Sequence, residues 1–439
     1  MSGGVFSRAV GRLPRVSHAR GAQIWDVDGR RYVDAAGGAI VVGVGHGVSE
    51  VVEAAAAQAR DVSYVHGSMF TSEVLETYVA ELMAVLPVDD ARVYPVSGGS
   101  EAIETALKMA RAFHLARGED RHVVIGRWGS YHGNTRGALD VSGRAGLRAP
   151  YLPWLGAGLH TSTPYEYRCE FVDTHPVGCG VRHAEALERV ILEAGPERVA
   201  AFVAEPIAGA ALGACVPSDD YWPAVVEVCR RYGVLVIADE VMTGFGRTGR
   251  WFGCDHWDVR PDILAAGKGT ASGYWPLGLA VCSGRIFEAI GAGGFTHGFT
   301  YSHHAVGAAT GRAVLRVLRD RGLVDASRVQ GERLLSGLTR RLAGNAHVGD
   351  VRGLGLLVGV ELVADAGTGE PFARSARVTE RVVAAARQEG LLVYSSTGNV
   401  DGSVGDVILL GPPLSISETE VDEIVELCAG AVEKAATRT

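Results

Sequence analysis

Residues 234–241 read Val-Leu-Val-Ile-Ala-Asp-Glu-Val, and residues 262–269 read Asp-Ile-Leu-Ala-Ala-Gly-Lys-Gly. Each contains a short uncharged run that stops at a reactive side chain, Asp239 in the first and Lys268 in the second. Runs that are apolar throughout, rather than alternating, read as strands buried on both faces of a parallel sheet. In an open α/β sheet ligands sit beyond the carboxyl ends of the strands, so both side chains point to one crevice. Asp239 alone is open to three readings: a metal ligand, a base, or the partner of a protonated ring nitrogen. A lysine between two glycines is either a phosphate clamp or a desolvated amine nucleophile. The clamp spacing G-x-x-x-x-G-K-[ST] fails, because position 262 is Asp and Gly269 follows the lysine. The amine reading requires an aldehyde cofactor, and pyridoxal phosphate is the chemical match.

Working outward, Val93–Val96, His122–Ile125, Val199–Ala204, Val234–Ala238, Ile263–Ala265 and Leu279–Cys282 read as further buried parallel strands. Helical spacing marks Glu101–Arg117, Ala184–Leu192 and Tyr221–Tyr232 as helices between them. The pattern predicts a large, mostly parallel α/β domain over residues 60–325. The flanks differ. Residues 21–36 alternate apolar and polar around Asp28-Gly29, a hairpin signal. Val351–Val360, Gly390–Tyr394 and Val407–Leu410 are strand candidates, with helices over Ser375–Gln388 and Ser417–Ala436. Together they predict one antiparallel sheet with helices on one side, a smaller α+β domain built from residues 1–59 and 326–439.

An aldehyde cofactor bearing a phosphate makes demands that can be searched for. Ser97-Gly-Gly99-Ser100-Glu-Ala102 follows one strand and opens a helix, and a helix N-terminus is a ready anion site. By itself the stretch reads equally as an ordinary helix cap. Trp128-Gly-Ser-Tyr131-His132-Gly133 places aromatic side chains past another strand end, where packing is the usual role. An anion cup, an aromatic, an acid and a lysine past the strand ends of one sheet form a combination that coincidence explains poorly.

Composition removes other classes. The chain has 439 residues, 47% hydrophobic and 21% charged, the profile of a folded globular protein rather than a disordered one. A net charge of −8 argues against a nucleic-acid partner, whose footprint is basic. No run is long and apolar enough for a membrane span, and the first residues carry no apolar signal core. Seven cysteines without a C-x-x-C pair fit a reducing cytoplasm. Cys169, His175, Cys179 and His183 match no standard finger spacing and read as a surface excursion, so no metal is expected. Of 42 basic residues only three are lysines, Lys108, Lys268 and Lys434. A lysine kept where arginine is the habit points to chemistry a guanidinium cannot perform.

The sequence resembles the class III (omega) aminotransferases, pyridoxal-phosphate enzymes of fold type I, the aspartate-aminotransferase-like fold. The matching stretches include Asp26-Val-Asp-Gly29, Gly45-His46, Ser97–Ala102, Tyr131-His132-Gly133, Ala204-Glu205-Pro206 and Ala238–Gly249. They continue through Gly267-Lys268-Gly269, Gly298-Phe-Thr300-Tyr301, Arg352-Gly353 and Pro412-Pro-Leu414. The resemblance implies an aminotransferase that moves an amino group from an amine or omega-amino donor to a keto or aldehyde acceptor by ping-pong steps. An aminomutase or epimerase of the same fold is the alternative. It implies that Lys268 carries the cofactor and moves the proton, and that Asp239 keeps the pyridine nitrogen protonated. Val241 and Tyr131 would flank the ring, Gly99 and Ser100 would hold the phosphate, and His132 and Glu205 would complete the cofactor site. Thr300 would reach the neighbouring subunit's phosphate, making a homodimer with shared sites. Tyr64, His66, Phe70, Trp128, Tyr131 and Glu205 are the expected substrate walls. One departure stands out: relatives carry an arginine before the Pro-Pro-Leu, and here the only arginine from residue 390 onward is Arg438. The acceptor carboxylate must be held another way, or the favoured substrates lack one there.

Overall fold

The N-terminal strands β1 (Val16–Arg20), β2 (Gln23–Asp26) and β3 (Arg31–Asp34) make an antiparallel ribbon. The predicted hairpin at Asp28-Gly29 is closed by the Asp26 carboxylate, which accepts from the Asp28 and Arg30 amides at 3.0 and 2.9 Å. Here an Asp side chain stands in for a missing backbone acceptor. The computed structural model describes residues 4, 6, 13–156, 158–171, 179–291 and 294–436.

The central sheet has seven strands: β4 (Arg92–Val96), β5 (Val123–Arg127), β6 (Leu159–Thr161), β7 (Val199–Ala204), β8 (Leu235–Asp239), β9 (Ile263–Ala266) and β10 (Gly278–Cys282). Their order is β4-β10-β9-β8-β7-β5-β6. β5 to β9 run parallel, while β10 is antiparallel to both β9 and β4. The expectation of a parallel Leu279–Cys282 strand is therefore corrected. Only residues 267–277 separate β9 from β10, too few for the crossover that a parallel pair needs. β4, β5, β7, β8 and β9 consequently end at one edge, directly before Ser97, Trp128, Glu205, Glu240 and Gly267. β7, β8 and β9 are buried at every position, which explains why their sequences do not alternate.

The flanks form two sheets rather than the single one expected. β11 (Val348–Leu354), β12 (Leu357–Leu362), β14 (Tyr394–Thr397) and β15 (Asp406–Leu410) make an antiparallel sheet in the order β11-β12-β15-β14. β13 (Leu391–Leu392) instead pairs parallel with Val33 and Asp34 of β3. Gly390–Tyr394 thus splits at Val393, each half serving a different sheet. Val351–Val360 also divides, into a hairpin turning at Gly355 with φ +55. A Cβ there would lie 2.3 Å from the Thr248 carbonyl carbon, so only glycine allows the turn to approach so closely. One hydrophobic cluster runs from Val33 and Tyr78 through Leu264 and Leu279 to Leu410 and Ile424, joining the flanks to one face of the central sheet.

Candidate active site

Asp239 is the last residue of β8 and is buried. Its Oδ2 lies 2.7 Å from Nδ1 of the buried His132, and Oδ1 accepts the Val241 amide at 3.0 Å. His132 is itself held, because its backbone N–H donates to Ser142 Oγ at 2.8 Å. The arrangement fixes a carboxylate at the sheet edge with its orientation set by an imidazole 107 residues distant in the chain. Glu240, the second carboxylate of the run, points the other way. It accepts the Gly253 and Cys254 amides at 2.8 and 2.7 Å, and burial pushes its pKa up to about 7. Its role is to fasten the turn that follows Asp239.

Lys268 lies two residues past β9 at φ +46, an uncommon conformation for a side chain with a Cβ. Burial lowers its amine to about 8, against the opposing pull of Asp239 and Glu205, while Arg247 lowers it further. Among the described residues its Nζ makes no hydrogen bond or ion pair. At pH 7 this raises the neutral fraction from roughly 0.03% to roughly 10%. Arg247 lies in the turn after β8. It donates to Leu356 O and Pro412 O at 2.9 and 2.6 Å, tying the flanking segments beneath the amine.

Glu205 follows β7 and is buried, which raises its carboxyl pKa. It accepts the Tyr131 amide at 3.3 Å and the Gly209 amide at 3.1 Å. Tyr131 Oη accepts from Asn134 Nδ2 at 3.1 Å. The Gly99–Ala116 helix starts with no side-chain cap, and Ser100 Oγ accepts the Asn134 amide at 3.1 Å. A Cβ on Gly99 would lie 2.9 Å from Val241 Cγ1, and one on Gly267 would lie 3.3 Å from the same methyl. Val241 therefore spans the helix start and the lysine loop. Gly99, Ser100, Tyr131, His132, Glu205, Asp239, Val241 and Lys268 lie in one group at the sheet edge.

The residues present fit pyridoxal phosphate. The lysine amine has no competing partner, the helix start is uncapped for an anion, and the glycines leave room where a Cβ would intrude.

The remaining predicted residues lie in other groups. Thr300 is exposed, and its carbonyl accepts from Tyr64 Oη at 2.7 Å. Phe70 is also exposed and follows the turn at His66 and Gly67, which packs against His303. Trp128 stacks on His160 with centroids 4.4 Å apart and lines a cavity of about 270 Å³ with Arg144, Tyr165, Arg168, Leu212 and Asn399. Arg144 was not legible in the sequence. It is half-buried and, among the described residues, pairs with no carboxylate. Arg168 is engaged by the buried Glu361, which also binds Arg352 at 2.8 Å. Of the four residues weighed as a zinc set, Cys169, Cys179 and His183 converge, whereas His175 lies outside the described residues.

Comparison with known proteins bears on the site as a whole. The model of the family described as aminotransferase class-III matches residues 6–432. The chain is 39% identical over 433 residues to an uncharacterized aminotransferase, YodT, of Bacillus subtilis, covering 96% of each. It is 37% identical over 424 residues to the putrescine–pyruvate aminotransferase of Pseudomonas aeruginosa, covering 96% of this chain and 91% of that protein. Among solved structures it is similar to the omega transaminase from Pseudomonas jessenii in complex with PMP. The TM-score is 0.90 at 31% identity, covering 96% of this chain and 93% of that one.

Proposed function

The chain belongs to the class III aminotransferases, and from that premise we propose that it is a pyridoxal-phosphate-dependent transaminase working through Lys268. The observation that carries this reading is the unpaired amine at the end of β9, lowered to about 8 beside Asp239. When bound, the cofactor supplies an aldehyde to exchange amino groups and an electron sink for the substrate carbon. The other steps belong to the protein. Lys268 would take a proton from the substrate carbon that bears the nitrogen and return it two bonds away, across that nitrogen. Asp239, aligned by His132, keeps the ring nitrogen protonated. Tyr131 and Val241 would bound the ring, and the uncapped Gly99-Ser100 helix start would take the phosphate.

The substrate class we infer is a primary amine at the end of a chain as donor and a keto acid as acceptor. A putrescine–pyruvate aminotransferase among the relatives supports this. The missing arginine before Pro412 finds a substitute in Arg144, whose cavity shares the Trp128–Gly129 loop leading to Tyr131. We also read the enzyme as a homodimer. Residues 60–325 hold the cofactor, and residues 1–59 with 326–439 form a smaller part beside them. The exposed Thr300 would serve the partner's phosphate. Tyr64, Met69, Phe70 and Tyr301 are 38%, 76%, 66% and 62% exposed, an apolar surface that a second copy would cover.

Borohydride reduction tests the central residue. Peptide mapping should place one cofactor on Lys268, and label on Lys108 or Lys434 would end the assignment. A single-turnover assay separates the alternative. With amine donor and no acceptor, a transaminase releases one equivalent of carbonyl product per site, and an aminomutase or epimerase releases none.

A further inference from the structure

Beyond the group around Lys268 and Asp239, the segment after β6 meets the start of the Gly180–Ala194 helix, and three soft donors converge there. Cys169, Cys179 and His183 are all buried, and one ligand atom from each lies within 4.8 Å of the others. Cys169 Sγ stands 3.7 Å from His183 Nε2, and the two thiols are hydrogen-bonded to each other. In a tetrahedral zinc site, bonds of about 2.3 Å to sulfur and about 2.05 Å to nitrogen set the S···N edge at roughly 3.6 Å. That edge already has the length the ion requires, and the other two lie within 4.8 Å.

The surroundings serve the same end. Ser162 Oγ lies 2.7 Å from His183 Nδ1, within reach to accept an Nδ1–H and so leave the Nε2 lone pair for the sulfurs. The Phe171 amide donates to Cys169 Sγ at 3.4 Å, an interaction that favours a thiolate. Among the described residues no other three His, Cys or acidic side chains gather in this way.

We propose that Cys169, Cys179 and His183 bind one zinc ion as a structural staple, with water in the fourth position. Binding replaces two thiol protons, which leave to solvent, and changes no oxidation state. The staple fixes the turn carrying Tyr165 and Arg168, and both residues line the Arg144 cavity. Zinc would thus set the shape of a cavity wall while remaining outside the chemistry.

The test uses untagged holoenzyme expressed with added zinc and dialysed free of chelator. Elemental analysis should find one zinc per chain, and in Cys179→Ser and His183→Ala the ratio should fall below about a tenth. The absorbance of bound cofactor reports whether each variant has folded. Cobalt-loaded wild type should show thiolate-to-metal charge transfer and tetrahedral visible bands, which decides the matter even if both variants misfold. Metal-free wild type after zinc supply, with the two thiols either freely alkylated or joined as a disulfide, would overturn the proposal. So would undiminished zinc in the folded variants.

Discussion

Lys268 differs from the other two lysines in environment as well as position. Lys108 is exposed, and Lys434 pairs at the surface with Glu389 at 2.6 Å. Only Lys268 is pulled down to about 8. An amine is nucleophilic only when neutral, so labelling of Lys268 in apoenzyme by an amine-selective reagent should rise with pH and reach half its maximum near 8. A Lys268 profile whose midpoint stays at the ordinary lysine value would refute the desolvated amine. Asp239→Asn should keep the fold and lose at least ~10–150-fold in the half-reaction rate, the worth of one charged hydrogen bond. His132→Ala should move the rate in the same direction by a smaller factor. Arg144→Ala should raise KM for the keto acid ~10–150-fold and leave the amine half-reaction nearly unchanged. Asp239 and Lys268 could be read because each ends an apolar run. The His132–Asp239 pair could not, since nothing local links residues so far apart. Arg144 was hidden for another reason: with 39 arginines in the chain, one half-buried arginine has no distinguishing context.

At the scale of elements, the contact between the helix start and the turn after β8 decides cofactor affinity. Gly99→Ala would drive a methyl into Val241, so cofactor Kd should rise. Val241→Ala in the same chain should recover part of that loss by making room. If the double variant is no better than Gly99→Ala, the crowding account is wrong. On β12, Glu361 is fully buried between Arg168 and Arg352. Glu361→Ala should cost about 3–5 kcal/mol in chemical unfolding, because it strands the partly buried Arg168, whereas Arg352 keeps Asp350 at 2.8 Å. Apolar runs revealed most strands of the central sheet, since full burial on both faces leaves a continuous pattern. The run for β10 revealed a strand but not its direction, because direction depends on the length of the connection and on the neighbours. β6, with only Leu159–Thr161, was too short to register. The flanks were misread as one sheet because β13 and β14 are consecutive in sequence yet pair with strands from opposite ends of the chain.

Across the whole molecule, the apolar group of Tyr64, Met69, Phe70 and Tyr301 should be lost from solvent in a two-fold assembly. Light scattering should give twice the chain mass. Mixing and reassembling Lys268→Ala with Thr300→Ala subunits should restore near-normal cofactor affinity at about a quarter of the sites, since half the dimers are mixed and each has one intact site. An active monomer, or no restoration on mixing, would refute the shared site. The pairing of β3 with β13 carries a different consequence. Gln23 reaches Glu420 at 2.9 Å and Arg31 reaches Glu423, so the β1–β3 ribbon rests on segments near the other end of the chain. Closing that loop costs about 5 kcal/mol of chain entropy. On a ribosome, at about 5–20 residues per second, the ribbon waits roughly 20–70 s for its partner strand. During that interval Lys268 has been synthesised, but the segments that Arg247 ties beneath it are incomplete. Its amine is then solvated and almost wholly protonated at pH 7, and the burial that lowers it follows only as the chain packs around it.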